Sequence, residues 1–370
     1  MGLPARALVV TVVHHPEDAR IRHRQIDALL SAGWEVTYAA PFSGYGLPAV
    51  STVPRLELVD LPRASGRSRL AALRSARALL ESRGAGHDVV LLHDPELLLA
   101  TRRLDLPPVV WDVHEDTAAA VSLKPWLPAG LSRPTAWAVR RLERRAEQRV
   151  NLLLAEDAYQ DRFRKPHPVV PNTTKVPASP PAPDDPRVVY VGHLTRPRGV
   201  FELIELACVL WARTEGRLRV QLVGHADAEA TEALSAAGEW VDWLGFLPHD
   251  EAMGVVDGAL AGLSLLHDEP NYRVSQPTKV VEYLAHGVPV ITTPLPHARR
   301  LVEEVGAGLV VPFADVAATA DAVLTLDADP STRHQMGKLG HAHAREQLDW
   351  TLRCREFVSR MGAIAGAPRV

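Results

Sequence analysis

The sequence predicts an α/β protein made of two doubly wound domains of similar size, each built on a parallel sheet. Two observations lead to this prediction. Short apolar runs alternate with longer helical patterns from end to end, and one proline-rich segment interrupts the alternation near the middle. Runs that are apolar throughout indicate strands buried on both faces, as in a parallel sheet covered by helices. A chain of 370 residues is long enough for two such domains.

Twelve apolar runs are predicted to be strands, six on each side of the proline-rich segment. Those of the first half are Ala7–Val13, Glu35–Ala40, Leu56–Leu61, Asp88–Leu92, Pro108–Val113 and Asn151–Ala155. Those of the second half are Arg187–Gly192, Leu218–Val223, Trp240–Leu244, Leu260–Leu266, Val288–Thr292 and Leu309–Val311. Helical patterns lie between them, among them Ile21–Ser31, Arg67–Ser82 and Thr135–Val150. Strand–helix alternation of this kind is typical of doubly wound α/β domains.

The domain boundary is marked by eight prolines between residues 166 and 186. So many prolines exclude a helix and predict a stiff, extended connector. We therefore expect a Rossmann-like N-terminal domain at 1–170, a linker at 171–186, a Rossmann-like domain at 187–349 and a C-terminal helix at 350–370. Two such domains would place a cleft between two sets of strand C-terminal ends, where ligands of these sheets bind.

The composition excludes several classes of protein. A net charge of −3 gives no reason to expect a nucleic-acid partner, and no run approaches the ~18 apolar residues of a membrane span. The first apolar run is too short for a leader and lacks a cleavage site, so we expect a cytoplasmic protein. Cys208 and Cys354 are too few for a disulfide framework and are expected to be buried free thiols.

The segment from Gln276 to Ile291 carries the strongest functional signal. It is predicted to be a short helix that ends at Gly287 and leads directly into a buried strand. Lys279 and Glu282 are three residues apart and share one helix face. Free N–H groups at a helix start, a cation and a carboxylate suit a diphosphate next to a diol, as in a nucleotide-sugar. The alternative is an amphipathic helix on which Lys279 and Glu282 form a surface ion pair.

A second constellation follows the first strand of the predicted second domain. Gly192 ends that strand, a loop with Arg196 and Arg198 follows, and a helix begins near Gly199. Glycine lets the backbone approach a phosphate closely, and arginine can bind one with two hydrogen bonds. A basic turn that only caps a helix is the alternative.

In the first domain, polar side chains follow three predicted strands. They are His14 and His15, His93, and the set Asp112, His114 and Glu115. Side chains at strand C-terminal ends point into the expected cleft, where His114 could act as an acid or base or bind a sugar hydroxyl. The histidines lack the usual spacing of metal ligands, so no metal is expected. The loop after the first strand also lacks the glycine-rich fingerprint of a dinucleotide site, which argues against NAD or FAD.

A helix rich in arginine suggests contact with a membrane surface. Arg140, Arg141, Arg144 and Arg145 lie on it and could bind anionic lipid heads. The alternative is a solvated helix whose glutamates supply intrahelical ion pairs.

Taken together, these segments resemble the retaining GT-B glycosyltransferases of family 4 over nearly the whole chain. The loop Gly192–Gly199 resembles the family's donor diphosphate loop, and Glu282–Ile291 resembles its Glu-Ala-Met-Ala-x-Gly-x-Pro-Val-Ile segment. Asp112–Glu115 is similar to the strand end whose histidine faces the transferred sugar, and Val241–Leu247 to the segment that touches the nucleobase. Gln347–Trp350 resembles the start of the last helix, which in this fold crosses back to the first domain.

The resemblance implies an enzyme that moves a sugar from a nucleotide-diphosphate sugar to an acceptor hydroxyl with retention and without a metal cofactor. It implies that the first domain binds the acceptor, that the second binds the donor, and that Glu282 binds the donor ribose. The expected catalytic residues are His114, Arg198 and Lys279. The other expected donor contacts are Gly192, His193, Arg196, Gly199, Phe246, Leu247, Gln276 and Thr278. Contacts to sugar or acceptor are expected from His14, His15, His93, Asp112 and Glu115.

Two departures from the family pattern shift the expected roles. Val274 stands where the family usually has a second glutamate, and His193 stands where it usually has an arginine. The diphosphate charge would then be met by Arg198 and Lys279, with Arg196 as a further candidate. Without a carboxylate at position 274, we expect front-face attack by the acceptor rather than a covalent intermediate.

The partners are expected to be a UDP- or GDP-sugar and a small-molecule, lipid-linked or polysaccharide acceptor. Two other functions stay open. One is a GT-B-type epimerase or hydrolase of sugar nucleotides, since Asp112, Glu115 and Asp116 supply acids. The other is a nucleotide-binding module without catalytic activity.

Overall fold

A computed structural model describes residues 4–114, 116, 118 and 132–366 of the chain. The chain forms two compact units, one made of the residues up to 171 together with those from 351 onward, the other of residues 172–350. Each unit contains a six-stranded sheet. All ten strand pairings are parallel. The predicted α/β fold with two doubly wound domains is therefore confirmed.

In the first unit the sheet order is β3-β2-β1-β4-β5-β6. Its strands are β1 (Arg6–Val10), β2 (Glu35–Ala40), β3 (Leu56–Asp60), β4 (Val89–Leu92), β5 (Val109–Val113) and β6 (Asn151–Leu154). Its described helices before residue 171 are α1 (Asp27–Ser31), α2 (Arg69–Arg83), α3 (Leu97–Ala100) and α4 (Ser132–Ala146), with a π-helical turn (Ile21–Ile26) leading into α1.

The second unit has the sheet order β12-β11-β10-β7-β8-β9, which is the same winding. Its strands are β7 (Asp185–Val191), β8 (Arg219–Val223), β9 (Val241–Trp243), β10 (Ala259–Ser264), β11 (Val290–Thr292) and β12 (Gly308–Val310). Its helices are α5 (Val200–Thr214), α6 (Ala228–Ala236), α7 (His249–Val256), α8 (Pro270–Arg273), α9 (Thr278–Ala285), α10 (Pro296–Val305), α11 (Val316–Ala328) and α12 (Pro330–His343). The last helix, α13 (Trp350–Ala365), begins at the end of this unit, and its residues from 351 onward group with the first unit.

The strands are apolar throughout because both faces of each sheet are covered. In β7, Val188 and Tyr190 pack into one hydrophobic core, whereas Val189 between them packs into another. Successive side chains of a strand point to opposite faces, so a strand between two helical layers needs apolar residues at every position.

Several strands are shorter than predicted, and in two of them the structure shows the local reason. β1 ends at Val10 because the N–H groups of Val12 and Val13 turn to the carboxylate of Asp94, at 2.5 and 3.3 Å. β11 begins only at Val290 because the N–H of Val288 is bonded to helix α9 and the next residue is a proline, which has no N–H to donate.

The proline-rich connector is anchored within the second unit along α12. The carbonyl of Pro177 lies 2.8 Å from Nε2 of His341, and the carboxylate of Asp184 accepts hydrogen bonds from Arg333 and His334. Pro180 packs against Gly287 at the end of α9. The connector therefore has a fixed path in this unit.

Both cysteines are free, as predicted, but their side chains are partly exposed rather than buried. Cys354 lies in α13, where its thiol donates to the carbonyl of Thr351. Within the described part of the chain, every helix is either too short or too polar to cross a membrane.

Candidate functional site

In the first unit, the predicted polar residues meet at one edge of the sheet. β1, β4 and β5 are neighbours and parallel, so the residues that follow them lie side by side. The winding changes direction between β1 and β4, and this switch point is where doubly wound sheets bind ligands. His14, His93 and His114 follow these three strands, and the structure brings all three together.

Asp94 ties the first two of these strand ends together. Its Oδ2 accepts hydrogen bonds from the N–H groups of Val12 and Val13, and from the hydroxyl of Thr11 at 3.0 Å. The helix that follows, α3, begins only at Leu97, and the Asp94 carboxylate holds the loop that carries His14.

Asp112 is held by a buried arginine from the π-helical turn region. Nε and Nη2 of Arg20 each lie 2.7 Å from a carboxylate oxygen of Asp112, and Nε2 of Gln25 donates at 2.9 Å. Burial alone raises the pKa of Asp112, but the adjacent Arg20 guanidinium brings it well below its usual value. Asp112 is therefore a fixed anion. Arg20 and Gln25 were not predicted as site residues, since they lie more than 80 positions from Asp112.

The histidines form a chain of close contacts beside this ion pair. Nε2 of His114 lies 3.0 Å from Nε2 of His14, and Nδ1 of His114 lies 3.2 Å from the carbonyl oxygen of Asp112. With its Nδ1–H donating to that carbonyl, His114 presents Nε2 as an acceptor. Nε2 of His14 is also 3.3 Å from Oδ1 of Asp94.

His93 differs from the other two in being wholly buried. Neither ring nitrogen has a hydrogen-bond partner, although Nδ1 lies 3.4 Å from Oδ2 of Asp112. Burial lowers the pKa of His93, so the ring is neutral. Buried polar atoms without partners are rare, and they often mark a site that completes its hydrogen bonds with a ligand or water.

Another predicted contact, His15, faces a different neighbour. His15 has its ring 4.6 Å from that of Tyr45, and its Nδ1 accepts the N–H of Glu17. The structure therefore directs His15 toward Tyr45 rather than toward His114. Glu115 lies outside the described residues.

One further cluster member went unpredicted. Asp18 caps the turn that carries Arg20, accepting the N–H groups of Arg20 and Ile21 at 2.9 and 3.0 Å. Burial raises the pKa of Asp18, but His14 and His114 outweigh it, so the net shift is downward. The sequence offered a signal here, since an Asp three positions before the start of a predicted helix can accept N–H groups of the first turn.

In the second unit, the loop from Gly192 to Gly199 is pressed against its neighbours. Gly224 has φ +138°, and a Cβ there would lie 2.0 Å from the carbonyl oxygen of Gly192. Gly199 has φ +83°, and a Cβ there would lie 2.3 Å from the carbonyl oxygen of Leu265. Only glycine fits either position. These contacts fix the loop that carries Arg198.

Two cations face the same point at this loop. A Cβ at Gly192 would lie 3.5 Å from Nζ of Lys279 and 3.7 Å from Nη1 of Arg198. Nζ of Lys279 donates to the hydroxyl of Tyr190 at 3.2 Å, and the Arg198 guanidinium is close enough to the hydroxyls of Tyr190 and Tyr272 for both to act on its pKa. Within the described part of the chain, neither cation forms an ion pair with a carboxylate, and Glu282 acts on Lys279 only from a longer distance.

The close approach of these side chains shifts the pKa values of Lys279 and Tyr190. Burial, together with the charge of Arg198, lowers the pKa of Lys279 well below its usual value. Burial raises the pKa of Tyr190 to about 12. A bound anion would reverse the shift at Lys279, because it would restore the missing counter-charge.

The surface-pair interpretation of the α9 helix is wrong. Lys279 and Glu282 are only 5% and 7% exposed, and no ion pair joins them. Nδ1 of His249 lies 4.0 Å from Oε1 of Glu282. Tyr283 of the same helix accepts the N–H of Val191 and donates to the carbonyl of Leu263, which fixes α9 across β7 and β10.

The start of α9 is suited to an anion. The N-cap residue is Pro277, so no side chain caps the first-turn N–H groups at Thr278 and beyond. Predicted contacts at Gln276 and Thr278 thus lie where uncapped backbone donors gather. Lys279 belongs to the same first turn, and its side chain extends to Gly192, where it meets Arg198.

The predicted nucleobase segment contains an exposed aromatic stack. Phe246 is 45% exposed, and its ring lies 4.7 Å from that of His225 with 10° between the planes. The centre of the His193 ring lies 6.2 Å from that of the His225 ring. Leu247, by contrast, packs against the hydrophobic core. The structure thus makes Phe246, not Leu247, the exposed face of this segment.

Arg196 does not join the cation pair. Its guanidinium forms an ion pair with Glu229 and lies 4.2 Å from the centre of the Phe201 ring. The sequence offered it as a further diphosphate ligand, but its charge is already matched on the outside of the loop. Arg198 and Lys279 therefore account for the charge at Gly192.

On helix α4, one of the four arginines predicted to form a basic surface, Arg140, is paired with carboxylates. Nη2 of Arg140 lies 2.6 Å from Asp116, and Nη1 lies 3.1 Å from Glu143. The charge of Arg140 is matched by carboxylates, which contradicts its expected role toward lipid. Arg141, Arg144 and Arg145 stay exposed.

Comparison with known proteins adds to this geometry. Residues 185–329 match the family model described as glycosyl transferases group 1. A phosphatidyl-myo-inositol mannosyltransferase of Mycobacterium leprae (strain TN) is 26% identical over 287 residues, which cover 72% of this chain and 70% of that protein.

Solved structures resemble nearly the whole chain. Sucrose-phosphate synthase from Thermosynechococcus elongatus has a TM-score of 0.75 at 18% identity, covering 99% of this chain and 100% of that one. Anabaena HepE in complex with UDP-glucose has a TM-score of 0.67 at 14% identity, covering 97% and 99%. At such identities these likenesses concern the fold.

Proposed function

We propose that this chain, a glycosyltransferase of the GT-B type, moves a sugar from a nucleotide-diphosphate sugar to an acceptor hydroxyl with retention at the anomeric carbon and without a metal ion. One observation carries the proposal. Arg198 and Lys279 converge beside Gly192, in a loop whose backbone is held by Gly199, and among the described residues neither forms an ion pair with a carboxylate. A diphosphate supplies the missing charge.

The chemistry assigned to these cations is stabilisation of the leaving group. When the bond between the anomeric carbon and the β-phosphate oxygen breaks, negative charge grows on the nucleoside diphosphate. Fixed cations aimed at that charge lower the barrier, because they need no reorganisation during the reaction. Arg198, Lys279 and the uncapped N–H groups at the start of α9 are the groups we assign to this task.

The nucleoside end of the donor is assigned to the other polar and aromatic groups of the second unit. Glu282 is a carboxylate one helical turn from Lys279, which suits the two ribose hydroxyls next to a diphosphate. Phe246 stacks on His225 and is 45% exposed, which suits a nucleobase. The base is expected to be uracil or guanine; Anabaena HepE, a structural neighbour, has been solved in complex with UDP-glucose.

In the first unit, His114 is assigned to the transferred sugar. Its Nε2 is an acceptor held in place by the Asp112 carbonyl at Nδ1, so a sugar hydroxyl can replace His14 as its donor. His14, His93 and Asp112 complete this cluster. Asp112 acts through Arg20 and the histidines, since both of its oxygens are occupied by Arg20.

Metal independence is supported by the same ion pair. His93, Asp112 and His114 are close enough to one another to hold a metal ion. However, the bidentate Arg20 guanidinium already neutralises Asp112 and would repel a divalent cation there. Transfer activity that survives dialysis against EDTA is expected; loss of activity with recovery on adding Mg²⁺ or Zn²⁺ would contradict metal independence.

Retention by front-face attack is the mechanism we assign. Val274, at the end of α8, offers no carboxylate nucleophile where the family usually has a glutamate. The acceptor hydroxyl would attack from the side on which the nucleoside diphosphate departs, and a β-phosphate oxygen would take its proton. Trapping a glycosyl-enzyme intermediate by mass spectrometry would refute this mechanism.

The decisive experiment starts with nucleotide binding. Thermal shift with UDP, GDP, TDP and ADP identifies the base, because a ligand that binds only the folded state raises its melting temperature. The matching nucleotide-sugars are then tested with lipid-linked, polysaccharide and small-molecule acceptors, and NMR reads the anomeric configuration of the product. An inverted product would contradict retention.

Two other functions predict different products. An epimerase or hydrolase would convert the donor without any acceptor, giving a new sugar isomer or free sugar. A module without catalytic activity would bind the donor and leave it intact with every acceptor. Incubation of the protein with the donor alone therefore separates all three.

A further inference from the structure

A groove on the first unit lies at the opposite end of β5 from the histidine cluster. It has a volume of about 790 Å³ and is formed by the connection from α3 to β5, by one face of α4 and by the first residue of β6. Val109 begins β5 and lines the groove, whereas His114 follows the other end of that strand. Val109 and His114 are five residues apart along the strand direction, a distance of about 16 Å. The groove is therefore separate from the strand ends described above.

The groove is lined by an excess of arginine. Five arginines and a single carboxylate, that of Asp105, contribute to its wall. The five are Arg102, Arg103, Arg141, Arg145 and Arg149. In the part of the chain that the structure describes, none of them forms an ion pair. Elsewhere in this unit buried or half-buried arginines do find carboxylates, as Arg20, Arg140 and Arg162 show.

The turn that carries two of these arginines is held in place. Nη1 of Arg77 donates to the carbonyls of Ala100 and Arg102, both at 2.9 Å. Arg103 has φ +61°, a left-handed conformation that residues other than glycine rarely adopt. Such strain persists where the surrounding structure enforces it, and it is found often at binding sites. Here it directs Arg102 and Arg103 to the same turn of the groove wall.

The opposite wall comes from α4 and is partly aromatic. Trp137 is 64% exposed, and the Arg141 guanidinium lies 5.4 Å from the centre of its ring. Arg145 follows Arg141 by four residues, so the two lie on one face of α4, and Arg149 lies in the turn just after this helix. Leu104, Leu106, Leu142 and Val150 supply apolar surface beneath them.

We propose that this groove binds a phosphate-bearing ligand. Like charges that converge without counter-charges repel each other, and an anion with several oxygens relieves that repulsion. Guanidinium groups bind phosphate with two parallel hydrogen bonds, and several can share one phosphate group. The volume is that of a small-molecule site. A soluble phosphorylated compound and the headgroup of an anionic phospholipid share this chemistry, and experiment distinguishes them.

The soluble source is tested by calorimetric titration with inorganic pyrophosphate. The titration uses the variant Arg198→Gln/Lys279→Met, so that the proposed donor site does not contribute. We expect one binding event, weakened about tenfold by Arg145→Gln in the same background. Arg144→Gln is the matched control: it removes the same charge from the next position of α4, and Arg144 does not line the groove.

The lipid source is tested by co-sedimentation of the full chain with vesicles. One set contains phosphatidylcholine alone, and the other contains phosphatidylcholine mixed with phosphatidylglycerol. Binding only to the mixed vesicles, lost in Arg145→Gln and kept in Arg144→Gln, identifies a lipid headgroup as the ligand. Arg102→Gln, on the other wall, repeats the test with an independent variant.

The outcomes are unambiguous for the groove. Pyrophosphate binding or anionic-vesicle binding that depends on Arg145 and Arg102 supports the proposal and names the source. Binding to neither probe overturns it. Equal weakening by Arg144→Gln and Arg145→Gln also overturns it, because the effect is then one of general surface charge. All three arginines are exposed, and equal melting temperatures will show that the variants fold.

Discussion

The ammonium of Lys279 lies 4.3 Å from the centre of the Tyr190 ring and donates a hydrogen bond to its hydroxyl. An aromatic ring and a phenol are weak partners for a buried cation. The Tyr190 hydroxyl in turn donates to the carbonyl of His193, so the contact ties Lys279 to the loop that ends in Gly199. Lys279 is therefore placed for an anion that the protein does not itself supply.

Replacement of Lys279 by Met is expected to stabilise the free protein. The substitution keeps the long apolar stem and removes a buried charge without a carboxylate partner, a gain of about 1 to 3 kcal/mol in the free energy of unfolding. Urea unfolding without nucleotide measures it. Lys338→Met is the control, because Lys338 is exposed and its replacement should leave stability nearly unchanged. A destabilised Lys279→Met protein would contradict this account of the site.

Loss of either converging cation is expected to slow transfer strongly. Lys279→Ala and Arg198→Ala should each lower kcat by about 10²-fold or more, because each removes a charge aimed at the leaving diphosphate. Steady-state kinetics with the donor identified by thermal shift gives the values. Arg196→Ala is the matched control, since Arg196 is paired with Glu229. An unchanged kcat in Lys279→Ala and Arg198→Ala would remove them from catalysis.

Binding of the nucleoside diphosphate is expected to take up a proton. Burial, with the charge of Arg198, lowers the pKa of Lys279 in the free protein, and the bound diphosphate raises it again. Between those two pKa values, binding adds a proton to Lys279, so affinity falls as pH rises through that window. Calorimetry in buffers of different ionisation enthalpy counts the proton. Lys279→Met should show no such uptake from this position; an undiminished uptake would assign the proton to another group.

The same depressed pKa affects stability without ligand. The unfolded chain holds a proton on Lys279 at pH values where the folded chain has lost it. The contribution of Lys279 to the free energy of unfolding therefore increases as pH rises from the folded pKa toward the usual lysine value.

Removal of one partner of the Arg20–Asp112 ion pair is expected to lower the free energy of unfolding strongly. Arg20→Met leaves the Asp112 carboxylate buried without its partner, and we expect a loss of about 3 to 5 kcal/mol in the free energy of unfolding. Asp112→Asn combined with Arg20→Met should cost clearly less than the sum of the single changes. A double-mutant cycle by urea unfolding measures the difference. Additive effects would show that Asp112 does not depend on Arg20.

Gly199 is expected to tolerate no side chain. Gly199→Ala would place a Cβ 2.3 Å from the Leu265 carbonyl oxygen at φ +83°, so we expect a loss of at least about 2 kcal/mol and a displaced Arg198. Gly238→Ala is the control for backbone strain alone, because Gly238 has φ +64° with open space around its Cβ position. It should cost about 1 kcal/mol. Equal losses at both positions would show that the contact with Leu265 adds nothing.

The strands were largely predictable, because each is encoded locally. A run such as Val188 to Val191 is apolar at every position, and only burial on both faces explains that pattern. The exact ends of the strands were harder to predict. β1 stops at Val10 because a carboxylate 82 positions from Val12 takes its N–H, and no local pattern contains that contact.

The sequence by itself determined the two α/β units, their strands, the glycines of the 192–199 loop and the cation at position 279. These follow from residue types and short spacings. Only the tertiary structure decided which charges are matched: Arg20 takes Asp112, Glu229 takes Arg196, and Arg198 meets Lys279 with no carboxylate. The physical reason is that ion pairing depends on distances between side chains from different strands and helices. Parallel winding brings these residues together from positions 33 to 92 residues apart.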